Sequence, residues 1–97
     1  MFCCYILYSK CLDRYYIGST HDNLEQRIIK HNTGYYKGAY FTRQSSDWDL
    51  FISITCKSYS QARKIENHIK RMKNRKYILD LRRYPQIADR LVLKYGD

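Results

Sequence analysis

The start of the chain contains two short apolar runs separated by a polar turn. Phe2–Tyr8 is apolar at both sets of alternating positions, which is typical of a central strand in a sheet. The segment Ser9–Arg14 carries polar turn residues, and Tyr15–Ser19 resumes a strand. The sequence therefore predicts a β-hairpin, which brings Tyr5 close to Tyr16.

The remaining segments predict one more strand and four helices. The first helix covers Asp22–His31, with Asp22 or Thr20 as its cap. Trp48–Cys56 alternates apolar and polar side chains, as a half-buried strand does. Three helices follow. The first begins at a capping box of Ser58 and Gln61 and runs through Met72, and the second covers Tyr77–Arg83. The last covers residues 85–95 and opens at Pro85. The order ββα-β-α-α-α predicts an α/β fold in which helices flank a small, mainly antiparallel, three-stranded sheet.

The chain is small and strongly basic. Its 97 residues can build one hydrophobic core, so we expect a single domain over residues 1–97. The sequence has 18 Lys and Arg against 9 Asp and Glu, a formal net charge of +9. This excess favours polyanionic partners, nucleic acid before membranes, although charge alone leaves open a basic protein that is merely soluble. Half of the basic residues lie between Arg63 and Arg83, which predicts a positive face.

Residues 33–47 form a long segment between the first helix and the third strand, and it is rich in Gly, Ser and Tyr. Loops of this length in small domains are often functional. Rings and cations alternate in it, and together with the basic stretch they are expected to hold a nucleic-acid backbone without reading its sequence. The predicted nucleic-acid contacts are Tyr36, Lys37, Tyr40, Arg43, Lys70 and Lys73.

The cysteines and the apolar runs bear on cellular location. The four cysteines form no CxxC pair, and the histidines do not complete zinc-ligand spacing, so structural zinc is not expected. Cys3, Cys4 and Cys56 lie in apolar runs, where a free thiol behaves as a small hydrophobe in a reducing compartment. No run approaches the roughly 20 apolar residues of a membrane span. We therefore expect a cytoplasmic protein without a membrane partner, and both a monomer and a weak dimer stay open.

Glu66 lies on or beside the apolar stripe of the second predicted helix. A carboxylate placed there is costly unless it is ion-paired, hydrogen-bonded or bound to a metal ion. The functional interpretation is a metal ligand. The alternative is a glutamate at the edge of the stripe that pairs with Lys70 or Arg63.

Two further pairs of residues have the chemistry of a phosphodiester site. Arg27 and His31 are one helical turn apart, so they share a face on which they can grip a phosphate and move a proton. The hydroxyls of Tyr5 and Tyr16 on adjacent strands can converge on one water molecule. Taken alone, a pair such as Arg27 and His31 more often belongs to a solvated helix face, and paired strand tyrosines are more often packing residues.

Four motifs, in order and spacing, resemble the GIY-YIG nuclease superfamily, in particular its small stand-alone single-domain members. They are Cys3 to Leu7, Tyr16 to Thr20, Arg27 followed by His31, and Glu66. The resemblance covers residues 2–83 and leaves the last predicted helix outside the core motifs.

The resemblance implies a role for each of these residues. Tyr5 matches a candidate general base and Tyr16 a residue that positions water or phosphate, while His31 is expected to share proton transfer with Tyr5. Arg27 steadies the scissile phosphate, and Glu66 binds one divalent ion, Mg²⁺ or Mn²⁺. A tyrosine whose pKa is about 10 must be acidified to act as a base. Arg27 and the metal ion are expected to do this.

The resemblance therefore implies a metal-dependent endonuclease that hydrolyses DNA with little sequence specificity. Two departures leave an inactive DNA-binding module on the same fold as the alternative. Cys3 and Cys4 stand where the family name has Gly and Ile, and the late asparagine of many members is matched only weakly by Asn74, and less well by Asn67. A third possible mechanism is attack of a tyrosine on phosphorus, which forms a covalent adduct with DNA. Glu66 and Arg27 suit attack by water better than this mechanism.

Overall fold

The three strands form one antiparallel sheet with the first strand in the middle. The computed structural model describes residues 2–21, 23–33 and 45–96. Its strands are β1 (Phe2–Ser9), β2 (Arg14–Thr20) and β3 (Trp48–Cys56), in the sheet order β2-β1-β3. The central position of β1 follows from its apolar side chains, which are buried on both faces from Cys3 to Leu7. The predicted hairpin and the predicted central strand are confirmed.

Four helices belong to the described part of the chain. They are α1 (Leu24–Asn32), α2 (Tyr59–Met72), α3 (Arg75–Arg83) and α4 (Pro85–Lys94). The predicted α/β class and the order ββα-β-α-α-α are therefore confirmed. None of these helices is long and apolar enough to cross a lipid bilayer.

The first helix begins later than predicted. Its cap is Asn23, whose side-chain oxygen accepts the backbone N–H of Gln26 at 3.1 Å. Thr20 cannot serve as the predicted cap because it ends β2 and is buried there. Asp22, the other predicted cap, lies outside the described residues.

The capping box of α2 has the predicted serine but a different second half. Ser58 Oγ accepts the N–H of Gln61 at 3.1 Å, whereas the side chain of Gln61 accepts the N–H of Lys57 at 2.6 Å. The same side chain donates to the carbonyl of Val92 at 2.9 Å. Gln61 is buried, and it thereby joins the start of α2 to α4.

The two faces of β1 support two separate hydrophobic clusters. Cys4 and Ile6 point to the face covered by α2, where they belong to one cluster with Ile65 and other core residues. Tyr5 and Leu7 point to the opposite face and belong to a second cluster, against which α1 packs. Because side chains alternate along a strand, Tyr5 and α2 lie on opposite sides of the sheet.

Candidate active site

Tyr5 and His31 form a buried hydrogen-bonded pair. The Tyr5 hydroxyl on β1 lies 3.0 Å from His31 Nε2 in the last turn of α1. Burial, and secondarily the charge of Arg27, lower the pKa of His31 to about 4. The imidazole is therefore neutral near pH 7, and with its proton on Nδ1 it accepts the Tyr5 hydroxyl at Nε2.

Tyr16 lies beside this pair on β2. Its ring centroid is 4.9 Å from that of His31 and 6.4 Å from that of Tyr5. Burial raises the pKa of Tyr16, the positive charges of Lys70 and Arg27 lower it, and the charge of Glu66 raises it. Burial has the largest effect, so Tyr16 stays protonated near pH 7 and can donate a hydrogen bond. The positive charge of Arg27 acts on this phenol but is outweighed by burial.

Gly18 makes room for the Tyr5 ring. The two residues face each other across the β1–β2 ladder. A Cβ atom at Gly18 would lie only 2.7 Å from both Cζ and the hydroxyl oxygen of Tyr5, and 3.1 Å from Cε2 of Tyr16. Sequence reasoning gave Gly18 no role of its own, and the signal that could have found it is the hairpin register.

Arg27 lies one helical turn before His31 and is partly buried. Its positive charge lowers the pKa of His31, and it opposes the burial that raises the pKa of Tyr16 and of Cys3. The guanidinium therefore lies within electrostatic range of all three side chains. The structure thus brings Tyr5, Tyr16, Arg27 and His31 together on the α1 side of the sheet.

Asn32 fixes the end of α1 to the start of β3. Its side-chain amide donates to the carbonyl of Trp48 at 2.9 Å, and its side-chain oxygen accepts the N–H of Trp48 at 2.7 Å. The Trp48 ring is fully buried against Tyr16, with centroids 6.4 Å apart. The clamp therefore holds the neighbouring His31 in place, a role that the sequence did not reveal.

Glu66 is buried on α2, as its place in the apolar stripe predicted. Ser19 donates its hydroxyl to Glu66 Oε1 at 2.6 Å. Lys70 Nζ lies 2.5 Å from Oε2, and Arg63 Nε lies 3.8 Å from Oε1. The ion pairing that the sequence left open as an alternative is therefore present, with both predicted partners. Ser19 was not predicted.

The Glu66 carboxylate and the two tyrosine rings lie on opposite faces of the sheet at the edge strand β2. Ser19 points toward α2 and holds Glu66, while Gly18 and Tyr16 belong to the face of the Tyr5–His31 pair. The charges of Glu66 and Lys70 nevertheless act on the pKa of Tyr16. Glu66 is thus within electrostatic range of Tyr16, on the far side of the strand from Tyr5.

The predicted DNA contacts fall into two groups. Within the described part of the chain, Lys70 pairs with Glu66, and Lys73 is exposed at the left-handed cap of α2. Other basic side chains of the same stretch have local partners, such as Arg75 with Asp13 at 3.1 Å. The remaining predicted contacts lie outside the described residues: Tyr36, Lys37, Tyr40 and Arg43.

A model of the GIY-YIG catalytic domain matches residues 1–78 of this chain. The chain belongs to the GIY-YIG family. The matched region runs from β1 into α3 and includes every predicted catalytic residue of this GIY-YIG domain. No curated protein and no solved structure gave a match. Membership indicates a nuclease-type function with DNA as substrate.

The residues present fit a divalent ion that is shared with a substrate. Among the described residues, no group of three His, Cys, Asp or Glu side chains could hold a metal ion. Mg²⁺ is commonly bound by one or two carboxylates that act together with water and substrate phosphates. Glu66 supplies one such carboxylate, and its Oε2 already faces a cation, the Lys70 ammonium.

Proposed function

We propose that this GIY-YIG domain is a divalent-metal-dependent endonuclease that hydrolyses DNA phosphodiester bonds with little sequence specificity. The observation that carries the proposal is the Tyr5 hydroxyl bonded to a neutral, buried His31, beside Arg27 and Tyr16. These groups supply what hydrolysis of a phosphodiester requires, namely a proton acceptor for water and donors for the developing negative charge.

Proton transfer from water is the role proposed for the Tyr5–His31 pair. In the tautomer with the His31 proton on Nδ1, Tyr5 donates its proton to Nε2, and its oxygen can accept a proton from an attacking water that enters with the substrate, because the phenol is fully buried in the free protein. The phenol then need not exist as a free phenolate, whose formation near pH 7 is unfavourable because a tyrosine has a pKa of about 10. His31 is neutral before the reaction because burial lowers its pKa to about 4, and the same burial makes the ring a weaker base than an exposed imidazole.

Stabilisation of the phosphate is the role proposed for Arg27 and Tyr16. A guanidinium binds two phosphate oxygens in a planar, charge-assisted contact. Tyr16 keeps its proton near pH 7 and can therefore donate to a phosphate oxygen or to the water. Both side chains are only partly buried, so a substrate can reach them.

Metal binding is the role proposed for Glu66. A bound divalent cation acts as a Lewis acid that neutralises charge on the phosphate oxygens. The hydroxyl of Ser19 fixes Oε1 and leaves Oε2 as the oxygen that can turn toward a cation.

A low sequence specificity follows from the kind of contact that a basic surface makes. Phosphate contacts position DNA but carry no sequence information. Because several phosphates would be neutralised, we expect binding to weaken steeply as salt increases. An affinity that is equal at low and at moderate salt would contradict this picture.

The proposal is tested by nicking of supercoiled plasmid with Mg²⁺, with Mn²⁺ and with a chelator. We expect Tyr5→Phe and Glu66→Gln each to lower the rate by about 100-fold or more, the lower end of the effect of a general acid–base group. Tyr8→Phe and Glu25→Gln are matched controls because both residues lie outside the site and are at least partly exposed. The proposal fails if Tyr5→Phe and Glu66→Gln cut as fast as these controls.

The alternative, an inactive DNA-binding module, depends on the weak match to the late asparagine of the family. Asn74, the weak match to the late asparagine of the family, caps α3 through its side chain, which accepts the N–H of Lys76 at 2.9 Å. Its amide thus has a structural use. Salt-sensitive DNA binding without metal-dependent nicking would establish this alternative.

A further inference from the structure

The two oxygens of Glu66 have partners of different kinds. Oε1 accepts the hydroxyl of the buried Ser19 at 2.6 Å. Oε2 faces the ammonium of Lys70 at 2.5 Å. The hydroxyl belongs to a strand of the sheet and is fixed, whereas the ammonium ends a long side chain with several rotatable bonds.

The two side chains of the Glu66–Lys70 pair also differ in their exposure to solvent. The Glu66 side chain is 10% exposed and the Lys70 side chain is 50% exposed. Lys70 is four residues after Glu66, so both side chains extend from one helix and the ammonium can swing into water without moving the backbone. Because the Lys70 end of the pair is half exposed, water screens it and the ammonium can exchange with solvent.

Lys70 would have to compete with a divalent cation for the Glu66 carboxylate. Two cations on Oε2 would repel each other, and the cation with the higher charge binds a carboxylate more strongly at equal distance. Ser19, which holds Glu66, lies on the same edge strand as Tyr16, and the charge of Lys70 acts across that strand on the Tyr16 phenol.

We propose that Lys70 is an exchangeable counterion of Glu66. When a divalent cation binds to Glu66, Lys70 leaves the carboxylate and contacts a phosphate of the DNA beside Tyr16. The inference rests on the proposed metal-dependent function and adds a link between metal binding and DNA binding. In the metal-free protein, Lys70 neutralises Glu66 and contributes little to holding DNA.

The first test measures metal binding without DNA, by titration with Mn²⁺ and detection of the free ion by electron paramagnetic resonance. We expect Lys70→Met to bind Mn²⁺ about fivefold more tightly than the unchanged protein, the upper end of what an ion pair with one half-exposed partner contributes. Lys57→Met removes the same charge from an exposed lysine and is the control for net charge. Lys70→Gln, which keeps a polar side chain, should behave as Lys70→Met does.

The second test measures DNA binding in the Tyr5→Phe background, so that a fluorescent duplex stays intact. We expect Lys70→Met to weaken duplex binding more with Mg²⁺ present than with a chelator. Lys57→Met should weaken it equally in both conditions.

The outcomes separate the inference from the proposed function. If Lys70→Met binds Mn²⁺ no more tightly than Lys57→Met while plasmid nicking still needs metal, the exchange is wrong and the nuclease proposal stands. An equal loss of duplex affinity with and without Mg²⁺ also overturns the exchange. If no variant binds Mn²⁺ and the plasmid stays intact, both proposals are wrong.

Discussion

Replacement of Gly18 by alanine should destabilise the fold and disturb the Tyr5–His31 pair together. The added Cβ would lie 2.7 Å from two atoms of the Tyr5 ring system, a separation at which something must move. Tyr5 is fully buried and bonded to His31, so its ring has no free space into which it can turn. Overpacking of this kind costs about 1–3 kcal/mol.

Gly18→Ala also has a smaller, stabilising effect through the entropy of the backbone. Alanine loses less backbone entropy on folding than glycine, which returns roughly 0.5–1 kcal/mol in a strand. With the middle of each range, about 2 and about 0.75 kcal/mol, the net loss in the free energy of unfolding should be about 1 kcal/mol, which lowers the melting temperature by roughly 4–8 °C in a domain of this size. Urea unfolding and thermal unfolding of the Gly18→Ala protein measure this loss.

A double-mutant cycle identifies the cause. Leucine at position 5 keeps an apolar side chain but lacks the atoms that Gly18→Ala would strike. In the Tyr5→Leu background, Gly18→Ala should therefore cost nothing or stabilise slightly. The reasoning is refuted if Gly18→Ala leaves the stability unchanged in the original protein, or if its cost is the same in both backgrounds.

Three further perturbations test other parts of the structure. The pKa of His31 falls from its ordinary value of 6.5 to about 4 on folding. Between these two pH values the unfolded chain binds more protons than the folded protein, so the free energy of unfolding falls as the pH drops from 6.5 to 4. His31→Gln should reduce this fall by about 1–3 kcal/mol in urea titrations at several pH values. Asn32→Ala removes both hydrogen bonds to the Trp48 backbone and should cost about 1–3 kcal/mol in urea unfolding, whereas an unchanged midpoint would show that the clamp is dispensable. Ser58→Ala should cost about 1 kcal/mol through loss of the cap, measured against the exposed Ser60→Ala, which should cost nothing.

Elements with local signals could be predicted from the sequence. The alternation in Trp48–Cys56 gave the bounds of β3 as the structure has them, and Ser58 and Pro85 marked two helix starts correctly. The start of α3 was placed at Tyr77, two residues late, because Asn74 was considered only as a possible family residue and not as a cap. A residue such as Asn74 can be a helix cap or a site residue, and the sequence alone does not decide between the two roles.

Partners that are distant in sequence could not be predicted. His31 and Tyr5 were expected to share a site because of the family resemblance, but their direct bond depends on how α1 lies on the sheet. Ser19 reaches Glu66 only because β2 packs against α2. The pair of Glu66 with Lys70 was foreseen as an alternative because both lie on one helix. Which side of the sheet each group occupies is a property of the tertiary packing.

The opposite orientations of neighbouring side chains in β1 limit how this chain can vary in length. Deletion of a single residue before Tyr5, with the pairing otherwise kept, would turn its phenol toward α2 and a hydrophobic neighbour toward His31. Deletions and insertions in β1 should therefore abolish activity even where the sheet still forms. The turn at residues 10–13 lies outside this alternation, so natural or designed changes in length can accumulate there while Tyr5 and His31 remain in contact.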